Sequence, residues 1–446
     1  MLLLLYVYLG FLLVETHGHF STSGASILTI SLLFLLYHSF RPVRFSLLID
    51  GYSNRFILIC LVVFSFLLTS AFKPALFFAE NRDLLLALRL LMGIAALCLL
   101  LVTLLVYKEL NVSNNYIFYL FTLTLGLLLI SRLLVIIISP NPVIDVFTID
   151  SQAVDFFLDG LNPYSQVYPD IYNGKYDYEP GYTYWPSYFL FSIPFKMLGD
   201  IRLSTIFSDL VTGYFIYLFA KNQGKTTSHS MLWMLAWVSF PISLFFLEQA
   251  WIDSFMIMGV AIFMWALYNR KLTVAAVALG VFSASKQYAP LVGVLALPYL
   301  YSNYGWKKTL KISLISFVVF LAFMAPFMYA DFDMFYEKTI GMLIHRDLRI
   351  DSLSLPALLA RGGDLMQSTI LPGWFYNVLY SSALITGLAA VAIRKDRSLY
   401  SYSLSLVTTF GLIFVFGKVA FCNYYYLLSF FILITLLVNE DNMEQS

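Results

Sequence analysis

Apolar runs separated by short polar breaks recur along the chain. They fall at roughly 1–14, 24–40, 56–78, 84–107 and 115–139. After a long polar interval they resume at 203–220, 229–247, 250–268, 272–284, 287–301, 309–330, 374–393, 400–417 and 423–438. Many approach the ~20 residues that cross a bilayer as a helix. They are continuously apolar rather than alternating, which excludes a β-barrel. The pattern predicts an all-α, polytopic transmembrane bundle of about fourteen spans. Met1–Val14 lacks a basic start and a small-residue cleavage site, so it is read as the first span and not as a signal peptide. An aromatic stretch at 182–198, interrupted by Pro186 and Pro194, is expected to lie at the membrane surface.

Composition supports the class and adds little else. Charged residues make up 12% of the chain and the mean hydropathy is +0.80. No basic tract suits nucleic acid. Cys60, Cys98 and Cys422 sit singly inside apolar runs, as small core residues do.

Charge placement predicts orientation, because Lys and Arg favour cytoplasmic loops. With 182–198 on the surface, Arg41, Arg44, Arg55, Lys108, Lys221, Lys225, Arg270, Lys271, Lys307, Lys308, Lys311, Arg394, Lys395 and Arg397 all fall in inward loops. These are 14 of the 27 bases. Two long loops then face outward, 140–202 and 331–373. The chain divides into N-terminal extra helices (1–110), a central module carrying loop 140–202 (111–330), and a second outer loop with C-terminal helices (331–446).

Loop 140–181 holds seven acids (Asp145, Asp150, Asp155, Asp159, Asp170, Asp177, Glu179) against one base, Lys175. Asp145 directly follows an outward-running span. A carboxylate at that boundary can reach both a lipid-anchored phosphate and an aqueous hydroxyl, as a general base on a glycosyl acceptor must. The second loop gathers His345, Arg346, Asp347, Arg349 and Asp351. Lys286 lies deep in an apolar stretch just before Pro290, where an ionisable group needs a partner. Two readings stay open for it: a lipid phosphate, or a structural ion pair with Asp253 or Glu248. Asn423-Tyr424-Tyr425-Tyr426 heads the last run and is expected as an interfacial aromatic belt.

Asp-Val-Phe-Thr-Ile (145–149) followed by Leu-Asp-Gly-Leu-Asn-Pro-Tyr (158–164) resembles the first outer loop of membrane glycosyltransferases of the GT-C superfamily. The similarity is to polyprenol-phosphate-mannose-dependent α-mannosyltransferases. Three further stretches resemble that family: Glu248-Gln249-Ala250-Trp251-Ile252-Asp253, Ser285-Lys286-Gln287-Tyr288-Ala289-Pro290, and His345-Arg346 with Arg349-x-Asp351-Ser352-Leu353-Ser354. Together they cover about 120–430. Tyr178-Glu179-Pro180 and Trp185-Pro186 only loosely replace the family's Tyr-Pro-Pro, and the spans before residue 110 have no counterpart.

The resemblance implies an inverting hexosyl transfer at the outer membrane face, with mannose the expected sugar and a polyprenyl phosphate the carrier. Asp145 is the implied base, with Asp150 as the alternative, and His345 is the second catalytic candidate. Lys286, Arg346 and Arg349 are the implied donor-phosphate ligands. Tyr164, Gln249, Asp253, Tyr288 and Asp351 are the implied substrate contacts. No cofactor and no metal-ligand set is expected. Partners are the lipid-linked donor, a lipid or glycan acceptor and membrane lipids. A secondary transporter, a flippase of lipid-linked sugars, or a polysaccharide polymerase or ligase are the alternatives, since half-length helices around an intramembrane charge also occur in transporters.

Overall fold

The computed structural model describes residues 1–40, 52–107, 114–174, 180–362, 373–394 and 398–444. Arg41, Arg44, Lys108, Lys175, Asp177, Tyr178, Glu179, Lys395 and Arg397 lie outside them, as does the side chain of His345. Within these bounds the protein is helical throughout, with one isolated bridge between His19 and Ser352.

Five helices precede the acidic loop: α1 Leu2–Thr16, α2 Thr22–Phe40, α3 Tyr52–Phe72, α4 Arg82–Tyr107 and α5 Asn114–Ile138. The loop itself carries α6 Asp145–Leu158 and α7 Pro186–Met197. Then come α8 Leu203–Asn222, α9 Thr227–Val238, α10 Ser243–Glu248, α11 Asp253–Tyr268, α12 Leu272–Ser283 and α13 Pro290–Ala330. Short pieces α14 Phe332–Tyr336, α15 Met342–His345 and α16 Leu355–Gly362 fill the second loop. Helices α17 Gly373–Ile393, α18 Leu399–Val415 and α19 Cys422–Glu444 close the fold. Among the described residues, seven helices are long and apolar enough to cross a membrane by length and composition. The architecture is that of a helical membrane protein.

Two expected spans, 287–301 and 309–330, emerge as the single 41-residue α13, which is broken at Gly305 by φ 75° and ψ 166°. The chain reverses there. Leu279 of α12 packs at Gly293 in the first half, and one turn away the Ala276 carbonyl accepts from Ser316 Oγ of the second half at 2.9 Å. Both halves therefore lie against α12. Only a residue tolerant of positive φ makes that corner without strain.

The N-terminal helices join the same bundle, with α1 packed on α19, α2 on α18 and α3 on α9. In the interior, Arg132 of α5 faces Asp209 of α8 (Nε to Oδ2 3.7 Å) and donates to the Val238 carbonyl at 2.6 Å. Tyr426 donates to Asp209 at 3.2 Å. A buried charge far from water persists only with partners of this kind. Tyr425 and Tyr426 are wholly buried and Asn423 nearly so, which overturns the expectation of an interfacial belt. The Tyr hydroxyls there are consumed inside the fold: Tyr425 donates to the Leu353 carbonyl.

Backbone contacts gather the remaining loops at one end of the bundle. Trp185 and Ser187 donate to the carbonyls of Ser285 and Ala284, each at 3.0 Å. Arg349 and Leu353 donate to Lys418 and Ala420, and Phe20 donates to Asp351. Helix α7 lies across this end, because its start meets Ala284 and its end packs Phe195 on Phe207, near the head of α8.

Candidate functional site

The centre of that end is an ion pair. Lys286 Nζ donates to both carboxylate oxygens of Asp253 at 2.9 Å, and both side chains are buried. Asp253 opens α11 and Lys286 sits in the turn between α12 and α13, so the pair ties two helix ends together. Asn423 Nδ2 at 3.1 Å and the Tyr288 hydroxyl complete the shell of Asp253. Three rings face the ammonium, Tyr288 at 5.1 Å, Tyr424 at 5.3 Å and Tyr184 at 5.4 Å. Opposite charge and aromatic faces both attract the ammonium, and do so more strongly in a low-dielectric setting.

The elbow leading into Asp253 is braced from the N-terminal module. Glu248 is wholly buried and accepts from Phe77 N (2.7 Å), Phe78 N (2.9 Å), Ser139 Oγ (2.7 Å) and Gln249 Nε2 (3.2 Å). Four donors satisfy a carboxylate without a cation. Of the two structural partners considered for Lys286, Asp253 holds it and Glu248 does not. Between them, Ala250 takes φ 55°, a left-handed corner uncommon outside glycine.

The acidic segment approaches from the other side. Asp145 is the first residue of α6, half-buried, with its carboxylate accepting from Val146 N at 2.8 Å and from the Tyr172 hydroxyl at 3.4 Å. A carboxylate there is favoured by the helix dipole. The turn before it is held by Arg202, wholly buried, whose guanidinium meets Asp200 at 2.6 Å and the Ser139 carbonyl at 2.7 Å and lies 5.0 Å from the Phe147 ring.

Electrostatics connects the two halves. Asp150, wholly buried on α6, has its carboxyl held well above the usual range, first by burial and then by the charge of Asp145, while Lys286 acts the other way. Burial raises the Tyr184 phenol, and Asp150, Asp145 and Asp253 each push it further. Arg346 and Asp253 both act on Tyr424. Tyr184 and Tyr424, whose rings lie 5.4 and 5.3 Å from the Lys286 ammonium, therefore link Asp145, Asp150 and Arg346 to the Lys286–Asp253 pair. Asp145, Tyr184, Gln287, Tyr288 and Tyr424 are half-buried and so border the open side.

The other candidates divide. Arg346 is exposed and makes no ion pair among the described residues, which leaves its fork available to an anion. Lys418 Nζ donates to its carbonyl at 3.1 Å. Arg349 is engaged: Nε and Nη2 donate to the two oxygens of Asp351 at 2.9 and 2.7 Å, and its fork lies 5.0 Å from the Phe421 ring. Gln249 is buried on Glu248. Tyr164 is wholly buried, its hydroxyl on the Tyr184 carbonyl at 2.9 Å and its ring edge-on to Phe335 at 4.7 Å, which makes it a support for Tyr184. His345 ends α15, next to Arg346. Gln287 joins the two loops by donating to the carbonyls of Thr183 (2.6 Å) and Thr339 (2.8 Å). No group of three or more His, Cys, Asp or Glu placed to hold a metal occurs among the described residues.

Tyr184, Asn423 and Tyr424 carry the centre of the site and were not read from the sequence as site residues. No protein-family model matches the chain, and no curated protein matches it.

Proposed function

We propose that this protein is a membrane-embedded inverting glycosyltransferase that moves a hexose, with mannose the first to test, from a polyprenyl phosphate to a hydroxyl acceptor at the outer membrane face. The observation that supports the reading is that Asp145 acts on Tyr184 and Arg346 on Tyr424, while both rings lie against the Lys286 ammonium, at 5.4 and 5.3 Å. Acid–base chemistry on one side and phosphate stabilisation on the other are what such a transfer needs.

In this reading Asp145 takes the proton of the acceptor hydroxyl as its oxygen attacks the anomeric carbon. The bond from that carbon to the phosphate oxygen breaks, and the electron pair leaves with the phosphate. Two N–H bonds of Lys286 are directed at Asp253, so one remains for the leaving oxygen. The uncompensated positive charge comes from Arg346. His345, beside it in sequence, is the candidate to orient the phosphate or the sugar.

The test is purified protein supplied with radiolabelled polyprenyl-phosphate mannose, scored for free polyprenyl phosphate and labelled acceptor. Asp145→Asn should keep wild-type melting behaviour and lose at least about a hundredfold in turnover, the usual scale for a general base. Wild-type turnover in that variant removes Asp145 from the role. The buried Lys286–Asp253 pair beside half-length helices favours a transporter as the second reading. Carrier movement across vesicles with no release of polyprenyl phosphate would select it.

A further inference from the structure

Asp150 carries a cost that the fold does not offset. Its carboxyl is wholly buried and, among the described residues, neither oxygen receives a hydrogen bond. The Tyr182 hydroxyl, also wholly buried, has no hydrogen-bond partner among the described residues either, and Asp150 acts on it electrostatically. Native interiors rarely leave such groups unmet, because each costs free energy comparable to a lost hydrogen bond. The neighbouring phenols are served: Tyr164 by the Tyr184 carbonyl, Tyr168 by the Pro163 carbonyl at 2.9 Å and Tyr188 by Ser204 at 3.4 Å. Among these phenols Tyr182 alone is unmet; Trp185 Nε1 and Ser187 Oγ, further along its segment, are buried and unmet as well, but Asp150 is the acid among them.

Their position suits a ligand. Asp150 lies on the helix that starts with Asp145, and both Asp145 and Lys286 act on it. Tyr182 is followed by the half-buried Thr183 and Tyr184, so its segment borders the open side. Aromatic rings and a carboxyl together match a pyranose, whose apolar face packs on rings while adjacent hydroxyls bond to the two oxygens of one carboxyl. We propose that Asp150 and Tyr182 form a subsite for sugar hydroxyls, the two carboxyl oxygens taking neighbouring hydroxyls and the phenol a third. This rests on the glycosyl-transfer reading and gives Asp150 a binding role distinct from proton transfer by Asp145.

Thermal melting separates the possibilities. Wild type, Asp150→Val, Asp150→Asn and Tyr182→Phe are compared alone, with polyprenyl-phosphate mannose, and with sugarless polyprenyl phosphate. Asp150→Val removes two unmet acceptors and should melt no lower than wild type. The sugar-bearing lipid should stabilise wild type beyond the sugarless one. That increment should weaken about tenfold in apparent affinity in Asp150→Val and Tyr182→Phe, the scale of one hydrogen bond, with sugarless phosphate binding unchanged. A lower melting point for Asp150→Val with the increment intact makes Asp150 a structural carboxyl and overturns the subsite. An increment retained in every variant leaves a buried water as the occupant and overturns it too. Should the increment behave as expected while transfer is absent, the subsite stands and the transferase reading falls. No response of wild type to either lipid removes both.

Discussion

Lys286 and Asp253 come from different stretches of the chain and meet with both carboxylate oxygens 2.9 Å from the ammonium, the carboxylate wholly buried and the lysine nearly so. Removing one member of such a pair strands the other charge, whereas removing both can be nearly neutral. Lys286→Met and Asp253→Asn should each cost about 3–5 kcal/mol, and the double variant should recover most of that loss. Unfolding of the four proteins in detergent measures the coupling; additive losses would mean that the pair is not a unit.

Glu248 invites a second comparison. Its four donors come from the α3–α4 loop, the end of α5 and its own neighbour, so it joins the N-terminal helices to the elbow before Asp253. Glu248→Gln cannot accept from both the Phe77 and Phe78 amides, and each group left unmet costs about 1–3 kcal/mol. Amide exchange at 75–81 should quicken in that variant while exchange in α17 stays unchanged. Equal protection throughout would show that the contact carries no strain.

The legible and illegible parts of the fold separate on physical lines. Long apolar runs were readable because bilayer crossing imposes length and composition on each segment alone; Arg82–Tyr107 and Asn115–Ile138 lie close to their expected bounds. Asp145 was readable because it abuts a run end. Lys286 was conspicuous as a charge among apolar neighbours, but its partner depended on a bend placing α11 beside the α12–α13 turn. The tyrosines of Asn423–Tyr426 illustrate the failure. Aromatics at a helix head look the same whether they face lipid headgroups or a buried carboxylate, and only packing shows that Asn423 reaches Asp253 and that Tyr426 reaches Asp209. Arg349, expected on the donor phosphate, and Asp351, expected on substrate, stand two apart, and their mutual fork geometry leaves neither fully available.

Acidity should affect Asp150 and Asp351 in opposite directions. Burial, then Asp145, raises the Asp150 carboxyl in the folded protein, against Lys286. Its contribution to stability is therefore complete below the ordinary carboxylate pKa of about 4 and declines as pH rises toward its folded value. For Asp351, burial pushes upward, but hydrogen bonding and charge from Arg349 outweigh it and the carboxyl is lowered. That contribution is present above about pH 4 and is lost as pH falls through the folded value. Melting followed against pH should show Asp150→Asn flattening the decline on the alkaline side and Asp351→Asn flattening the acid side. The Asp351 effect should stay below about 1 kcal/mol because the pair is partly solvated.

Arg202 tests whether the position of Asp145, and not merely its charge, matters. Its guanidinium reaches Asp200 at 2.6 Å and the Ser139 carbonyl at 2.7 Å while covering Phe147, two residues beyond Asp145. A lysine keeps the charge but cannot reproduce the fork or the stacked face. Arg202→Lys should leave the α5–α6 turn loosely held, so Asp145 samples positions off the acceptor line. Sub-ångström to ångström errors in a reacting group cost up to about a hundredfold in rate. The expected signature is a ten- to hundredfold drop in kcat with KM for the lipid donor little changed, since Lys286 and Arg346 are untouched. A rise in KM with kcat preserved would place Arg202 in donor binding, and unchanged kinetics would show that the turn holds its shape without it.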